Sequence, residues 1–107
     1  MNNNQKAADL LDAAADLLTT PGAWTKGKLA RASTGYPCAP DSPRAVCWCA
    51  TGALLRVNPG GESFILALGA LYELIGHISD WNDHPRRKQG DVVQLLRRAA
   101  NKLRSAP

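Results

Sequence analysis

Proline and glycine cut this 107-residue chain into stretches that have room for short helices and little else, with breaks at Pro21-Gly22, at Pro59-Gly60-Gly61 and at Pro85. Ahead of the first break, Ala7, Leu10, Leu11, Ala14, Leu17 and Leu18 recur at three- and four-residue spacing. Asp9, Asp12 and Asp16 fall between them, which is the pattern of an amphipathic helix. Thr19-Thr20-Pro21-Gly22 stops it, because proline lacks an amide donor and glycine tolerates the exit geometry. Asp41-Ser42-Pro43 reads as a second start, with Ser42 able to cap an orphan amide and Pro43 suited to the first helical position. That helix is predicted to run through CWCATGALLRV to Asn58-Pro59-Gly60-Gly61.

A third helix, from about Glu62 to His77, is apolar on most of its circumference and is therefore expected at the centre of the bundle. Residues 79–85 read as a turn-rich loop. Val92, Leu96, Ala99, Ala100 and Leu103 then form the stripe of a last helix. No helical period survives from Trp24 to Cys38. That stretch is expected to be a short β-hairpin or extended excursion, near residues 24–38, turning at Ser33-Thr34-Gly35. The expected fold is mainly α, a small single-domain bundle of about four helices spanning 7–104, preceded by a flexible N-terminus at 1–6.

The chain is 45% hydrophobic and 21% charged, ordinary values for a globular domain. Its longest apolar run, Phe64 to Tyr72, is far below the roughly 20 residues a bilayer span needs. No apolar segment follows Lys6, so the start is not read as a secretory signal, and a cytoplasmic location is expected. In that compartment thiols stay reduced, and three cysteines, an odd number, argue against a disulfide framework.

Charge is unevenly spread. Residues 62–83 hold Glu62, Glu73, Asp80 and Asp83 and no Lys or Arg, whereas 84–107 hold Arg86, Arg87, Lys88, Arg97, Arg98, Lys102 and Arg104 against Asp91 alone. Cations in the last turns of a helix complement its dipole. Arg86, Arg87 and Lys88 precede the last helix and oppose that dipole, so an anionic partner is the natural reason to keep them. These seven residues are the candidate partner-binding set. No helix-turn-helix spacing or aromatic RNA-binding motif accompanies them.

Cys47-Trp48-Cys49 invites two chemical readings. Zinc sites usually show two close ligand pairs, whereas Cys38, Cys47, Cys49, His77 and His84 include one. Within a helix, positions 47 and 49 would point about 200° apart. His77, Asp80, Asp83 and His84 are equally explained by turn chemistry, so neither metal nor cofactor is expected. The order cysteine, histidine, asparagine also occurs in papain-like hydrolases, which would make Cys47 or Cys49 the nucleophile, His77 the base and Asn82 or Asp83 the orienter. A helix starting at Pro43 would place both thiols too deep to be activated by its N-terminus. The favoured reading is structural, with Trp48, Cys49, Gly52, Trp81, Asn82 and Asp83 knitting the core and Cys49→Ser costing about 1 to 3 kcal/mol through a buried hydroxyl.

Trp24-Thr25-Lys26-Gly27, Trp48-Cys49-Ala50-Thr51-Gly52-Ala53-Leu54, Trp81-Asn82-Asp83 and the closing helix from Val92 to Ala100 appear in an order that resembles an uncharacterised family of bacteria and bacteriophages, known only as a domain of unknown function. The resemblance covers about residues 7–100. Relatives tend to carry a threonine cap where Lys88 stands, so the basic run is a departure. It implies a small accessory protein of phage or mobile-element type and supplies no catalytic residues. The expected function is non-enzymatic binding of an acidic macromolecular partner, a host protein assembly or nucleic acid, with inhibition of a host defence system as one role. The alternative is a small cysteine-dependent enzyme using Cys49 or Cys47 with His77. The apolar third helix leaves room for a homodimer.

Overall fold

A computed structural model describes residues 2–58 and 61–105. It is mainly helical, with five helices among the described residues and one two-stranded antiparallel sheet. Helix α1 spans Asn3–Leu18, earlier than the apolar period alone indicates, because Asn2 and Gln5 form a capping box: the Asn2 side chain accepts the Gln5 N–H at 2.8 Å and Gln5 Oε1 accepts the Asn2 N–H at 3.2 Å. α1 buries Ala7, Ala8, Leu10, Leu11, Ala14, Ala15 and Leu18, whereas the third helix buries only three residues, so α1, and not the third helix, is the centre of the bundle.

The Asp41-Ser42-Pro43 signal is spent on a turn. Ser42 Oγ accepts the Arg44 N–H at 3.1 Å and Ser42 O accepts the Ala45 N–H at 3.1 Å. The chain then stays extended as strand β2 (Ala45–Trp48) and pairs with β1 (Ala30–Ala32), Ala30 opposite Trp48 and Arg31 opposite Cys47, with an irregularity between Arg31 and Ala32. The second helix, α2, is therefore only Ala50–Val57, which corrects the expected start at Pro43. A run of Ala, Val, Cys and Trp suits a half-buried strand better than the Ser-Pro cap suits a helix. The stop read at Asn58-Pro59-Gly60-Gly61 falls partly on Pro59 and Gly60, which lie outside the described residues.

The excursion near 24–38 does turn back on itself. Arg31 bridges Pro37, and Ala32 N–H reaches Tyr36 O at 2.9 Å across Gly35, whose φ of +88° only glycine adopts readily. On the opposite side, Trp24 forms a parallel bridge to Trp48.

Helix α3 (Glu62–Ile75) buries fully only Ala67, Ala70 and Leu71. Ile65 is 68% and Tyr72 58% exposed. Its inward arc is built of small residues, so apolar content overstated its burial. A short α4 (Ile78–Asn82) replaces the first half of the expected 79–85 loop, and α5 spans Gln89–Arg104. α5 lies along α1 through an ion-pair ladder. Arg97 meets Asp12 at 3.0 Å and Asp16 at 2.6 Å, and Arg104 meets Asp9 at 2.9 Å and Asp12 at 2.6 Å. Burial raises the Asp12 carboxyl, but hydrogen bonds from the two guanidinium groups outweigh it and hold the group below its ordinary range. Each pair is worth little alone at the surface, yet together they set the register of the two helices.

Candidate functional site

Asn82 is the buried polar centre of the molecule. Its Oδ1 accepts the Trp24 indole N–H at 2.8 Å and the Ala50 backbone N–H at 3.1 Å. Its Nδ2 donates to Thr25 O at 3.1 Å and to Asp83 Oδ1 at 3.0 Å. Asp83 Oδ1 also accepts the Gly27 N–H at 3.0 Å, and Lys26 Nζ reaches His84 O at 2.7 Å. The segment 24–27 is thus tied to the segment 81–84, and both to the first residue of α2. Gly52 closes the same junction from the other side. It lies so near Leu29 that an added Cβ would stand 1.8 Å from the Leu29 carbonyl oxygen.

Cys49 is the N-cap of α2, with its sulfur accepting the Gly52 N–H at 3.3 Å. It is therefore not buried a turn inside a helix, as a start at Pro43 required. Burial pushes its thiol pKa up, against the smaller opposing pull of the Gly52 and Thr51 amides, so the neutral thiol is the favoured form. A cleft of about 160 Å³ touches it, lined also by Gly27, Lys28, Leu29, Ser79 and Asp83. Neither histidine is among these residues. His77 packs edge-on against Tyr72, and His84 Nδ1 accepts the Arg86 N–H at 3.1 Å. Cys47 sits on β2 with its sulfur 3.9 Å from Arg31 O. Among the described residues no three His, Cys, Asp and Glu side chains gather closely enough to hold a metal ion.

The N-cap position also changes what serine would do there. Serine is a strong N-cap whose hydroxyl accepts the same amide hydrogen bond, so Cys49→Ser is expected to leave stability within about 1 kcal/mol of the parent. A urea melt checks this, and a loss of several kcal/mol would mean the sulfur's volume, not its cap, is what the fold uses.

The seven basic residues separate into three groups. Arg97 and Arg104 are held by the aspartates of α1, and Lys102 Nζ meets Glu73 at 2.6 Å. Arg87 lies flat on Trp81, its guanidinium carbon 3.6 Å from the ring centroid, and its Nε donates to Trp81 O at 2.8 Å. The side chains of Arg86, Lys88 and Arg98 pair with nothing among the described residues. Arg87 and Arg98 line an open cleft of about 300 Å³ between α3, α4 and α5, with Ile75, Trp81 and Leu95 as its apolar side and Asp91 and Gln94 completing it.

Three motifs distant in sequence, at 24–27, 48–54 and 81–83, therefore meet in one hydrogen-bonded junction. Residues 2–102 match the family of unknown function DUF6197. The chain belongs to that family. No curated protein and no solved structure matches it. Within this DUF6197 domain the junction ties residues 24–27 and 81–84 to the start of α2, and the cations that are unpaired among the described residues lie on the 86–88 segment and α5. Sequence reasoning passed over Lys26, Leu29 and Arg31 as tie residues. Arg31 Nε, Nη1 and Nη2 reach Thr25 Oγ1, Gly35 O and Lys26 O at 3.1, 3.0 and 3.0 Å. The signal available was their place inside and just after the Trp24-Thr25-Lys26-Gly27 motif. An acidic face on α1 was visible in the spacing of Asp9, Asp12 and Asp16, but that it meets Arg97 and Arg104 is set by the packing of α5 along α1. No helix among the described residues is long and apolar enough to cross a membrane.

Proposed function

We propose that this domain is a non-enzymatic binding module that engages an anionic macromolecular partner through Arg86, Arg87, Lys88 and Arg98. The observation that supports the reading is the division of the cations. Those facing α1 and α3 are spent on internal carboxylates, whereas Arg86, Lys88 and Arg98 are not, and two of the three stand where the positive end of the α5 dipole disfavours them. The capping thiol of Cys49, pushed toward its neutral form by burial, and a cleft beside it that neither imidazole lines give less support to the cysteine-dependent alternative. Three free thiols suit the reducing cytoplasm. Action inside a bacterial host on behalf of a phage or mobile element follows from the family resemblance alone.

The test is a pair of charge-reversed variants with the same net charge. Arg86→Glu, Lys88→Glu and Arg98→Glu together should weaken binding to labelled polyglutamate or to labelled DNA in low salt by at least tenfold. Lys6→Glu, Lys28→Glu and Arg44→Glu together should weaken it far less. Equal losses would reduce the effect to net charge, and absence of binding by the parent to either polyanion would reject the reading.

A further inference from the structure

The cleft beside Trp81 is half apolar, and that constrains its occupant. Leu95 is buried and Ile75 and Trp81 are half-buried, so this side of the cleft offers hydrocarbon, while Arg98 and Gln94 on the exposed side of α5 offer donors. Arg87 is held in place by its stack on Trp81 and by the bond from Nε to Trp81 O, which leaves both of its Nη groups uncommitted among the described residues. A guanidinium held this way loses little further freedom on taking a carboxylate. The one acid in the cleft, Asp91, is tied into the start of α5, its Oδ2 accepting the Lys88 N–H at 2.9 Å. Its charge keeps a second carboxylate away from that end and directs it toward Arg98, seven residues along the same helix.

Nucleic acid fits this surface less well. A phosphate backbone would leave the apolar side facing water, and base stacking on Trp81 meets a ring whose one face already carries Arg87. Affinity for a phosphate backbone depends on how many phosphates a surface neutralises, and three of the seven cations in this region are already neutralised by carboxylates of the same chain.

Resting on the reading of the unpaired cations as the working surface, we infer that the cleft takes an acidic peptide segment of a protein partner, an apolar side chain lying against Leu95, Ile75 and Trp81 while a neighbouring Glu or Asp carboxylate is held by Arg98 and Arg87. A cleft of about 300 Å³ has room for one or two side chains, which suits an extended segment and not a folded element.

The experiment is an NMR titration of the full chain with three probes at matched ionic strength: an acetylated, amidated Glu-Leu-Glu-Leu peptide, its Glu-Gly-Glu-Gly counterpart of equal charge, and a five-residue thymidylate. The leucine peptide should bind at least tenfold more tightly than the glycine peptide, shift the indole N–H of Trp81 while sparing those of Trp24 and Trp48, and lose at least tenfold on Arg98→Glu. Equal binding of the two peptides, tighter binding of the thymidylate, or shifts centred on Trp24 or Trp48 would overturn the peptide assignment and leave the polyanion-binding reading standing. Failure of all three probes to bind would likewise overturn the peptide assignment, while the polyanion-binding reading stands or falls on the polyglutamate and DNA titrations.

Discussion

Gly52→Ala is expected to destabilise the protein by at least about 3 kcal/mol, or to prevent folding outright. The new methyl group would stand 1.8 Å from the carbonyl oxygen of Leu29 and 2.7 Å from its carbonyl carbon. Those are backbone atoms that cannot swing aside, and the oxygen is already the acceptor for the Cys49 N–H at 3.2 Å. Relief would require α2 to move off the 24–32 excursion, breaking the cap and the strand pairing together. Gly69→Ala on α3 is the matched control. Nothing lies within 4 Å of the Cβ it would add, and an interior helical glycine replaced by alanine gains roughly 0.5 to 1 kcal/mol. Urea melts of the two variants should move in opposite directions. Stability of Gly52→Ala at or above that of the parent would mean that the close approach of α2 to Leu29 is not a feature of the folded protein.

The second large effect is at Asn82. Removing its amide with Asn82→Ala would leave the Trp24 indole N–H, the Ala50 N–H and the Thr25 carbonyl without their partner in a site that is 1% exposed. An unsatisfied buried group costs about 1 to 3 kcal/mol each, so the expected loss is about 3 kcal/mol or more. Asn82→Asp should not restore it, because a carboxylate keeps the two acceptor roles but cannot donate to Thr25 O and would face Asp83. Denaturant unfolding followed by tryptophan fluorescence reports both variants. Near-parental stability for Asn82→Ala would show that water replaces the side chain without cost and that the junction is not held by it.

Much of the helical architecture was legible because its cause is local. The apolar spacing of α1 and α5 and the proline and glycine breaks act within a few residues, and the sequence pattern carries them. The α2 start was misread because Ser42-Pro43 satisfies a cap and a turn equally well, and the choice was made by distant residues: β1 supplies the partners that hold 45–48 extended. The placement of α3 was misread for a related reason. Its apolar count is high, but which arc faces inward depends on the small residues Ala67 and Ala70 that fit against neighbours invisible in the pattern. Trp24, Asn82 and Gly52 could be singled out as unusual residues in short motifs, yet their joining needed contacts spanning 58 residues between Trp24 and Asn82. The basic region was legible as a region. Its division into spent and unspent cations was not, since that rests on which helix α1 lies beside.

The account turns on the claim that Arg86, Lys88 and Arg98 are kept for a partner and not for the fold, and the most direct measurement is the urea stability of the variant that reverses all three. They make no ion pair among the described residues, and acidic side chains ahead of α5 suit its dipole better than basic ones. The variant should therefore be at least as stable as the parent, within about 0.5 kcal/mol or above it. A loss well beyond about 1 kcal/mol would show these cations at work inside the fold and would contradict the claim.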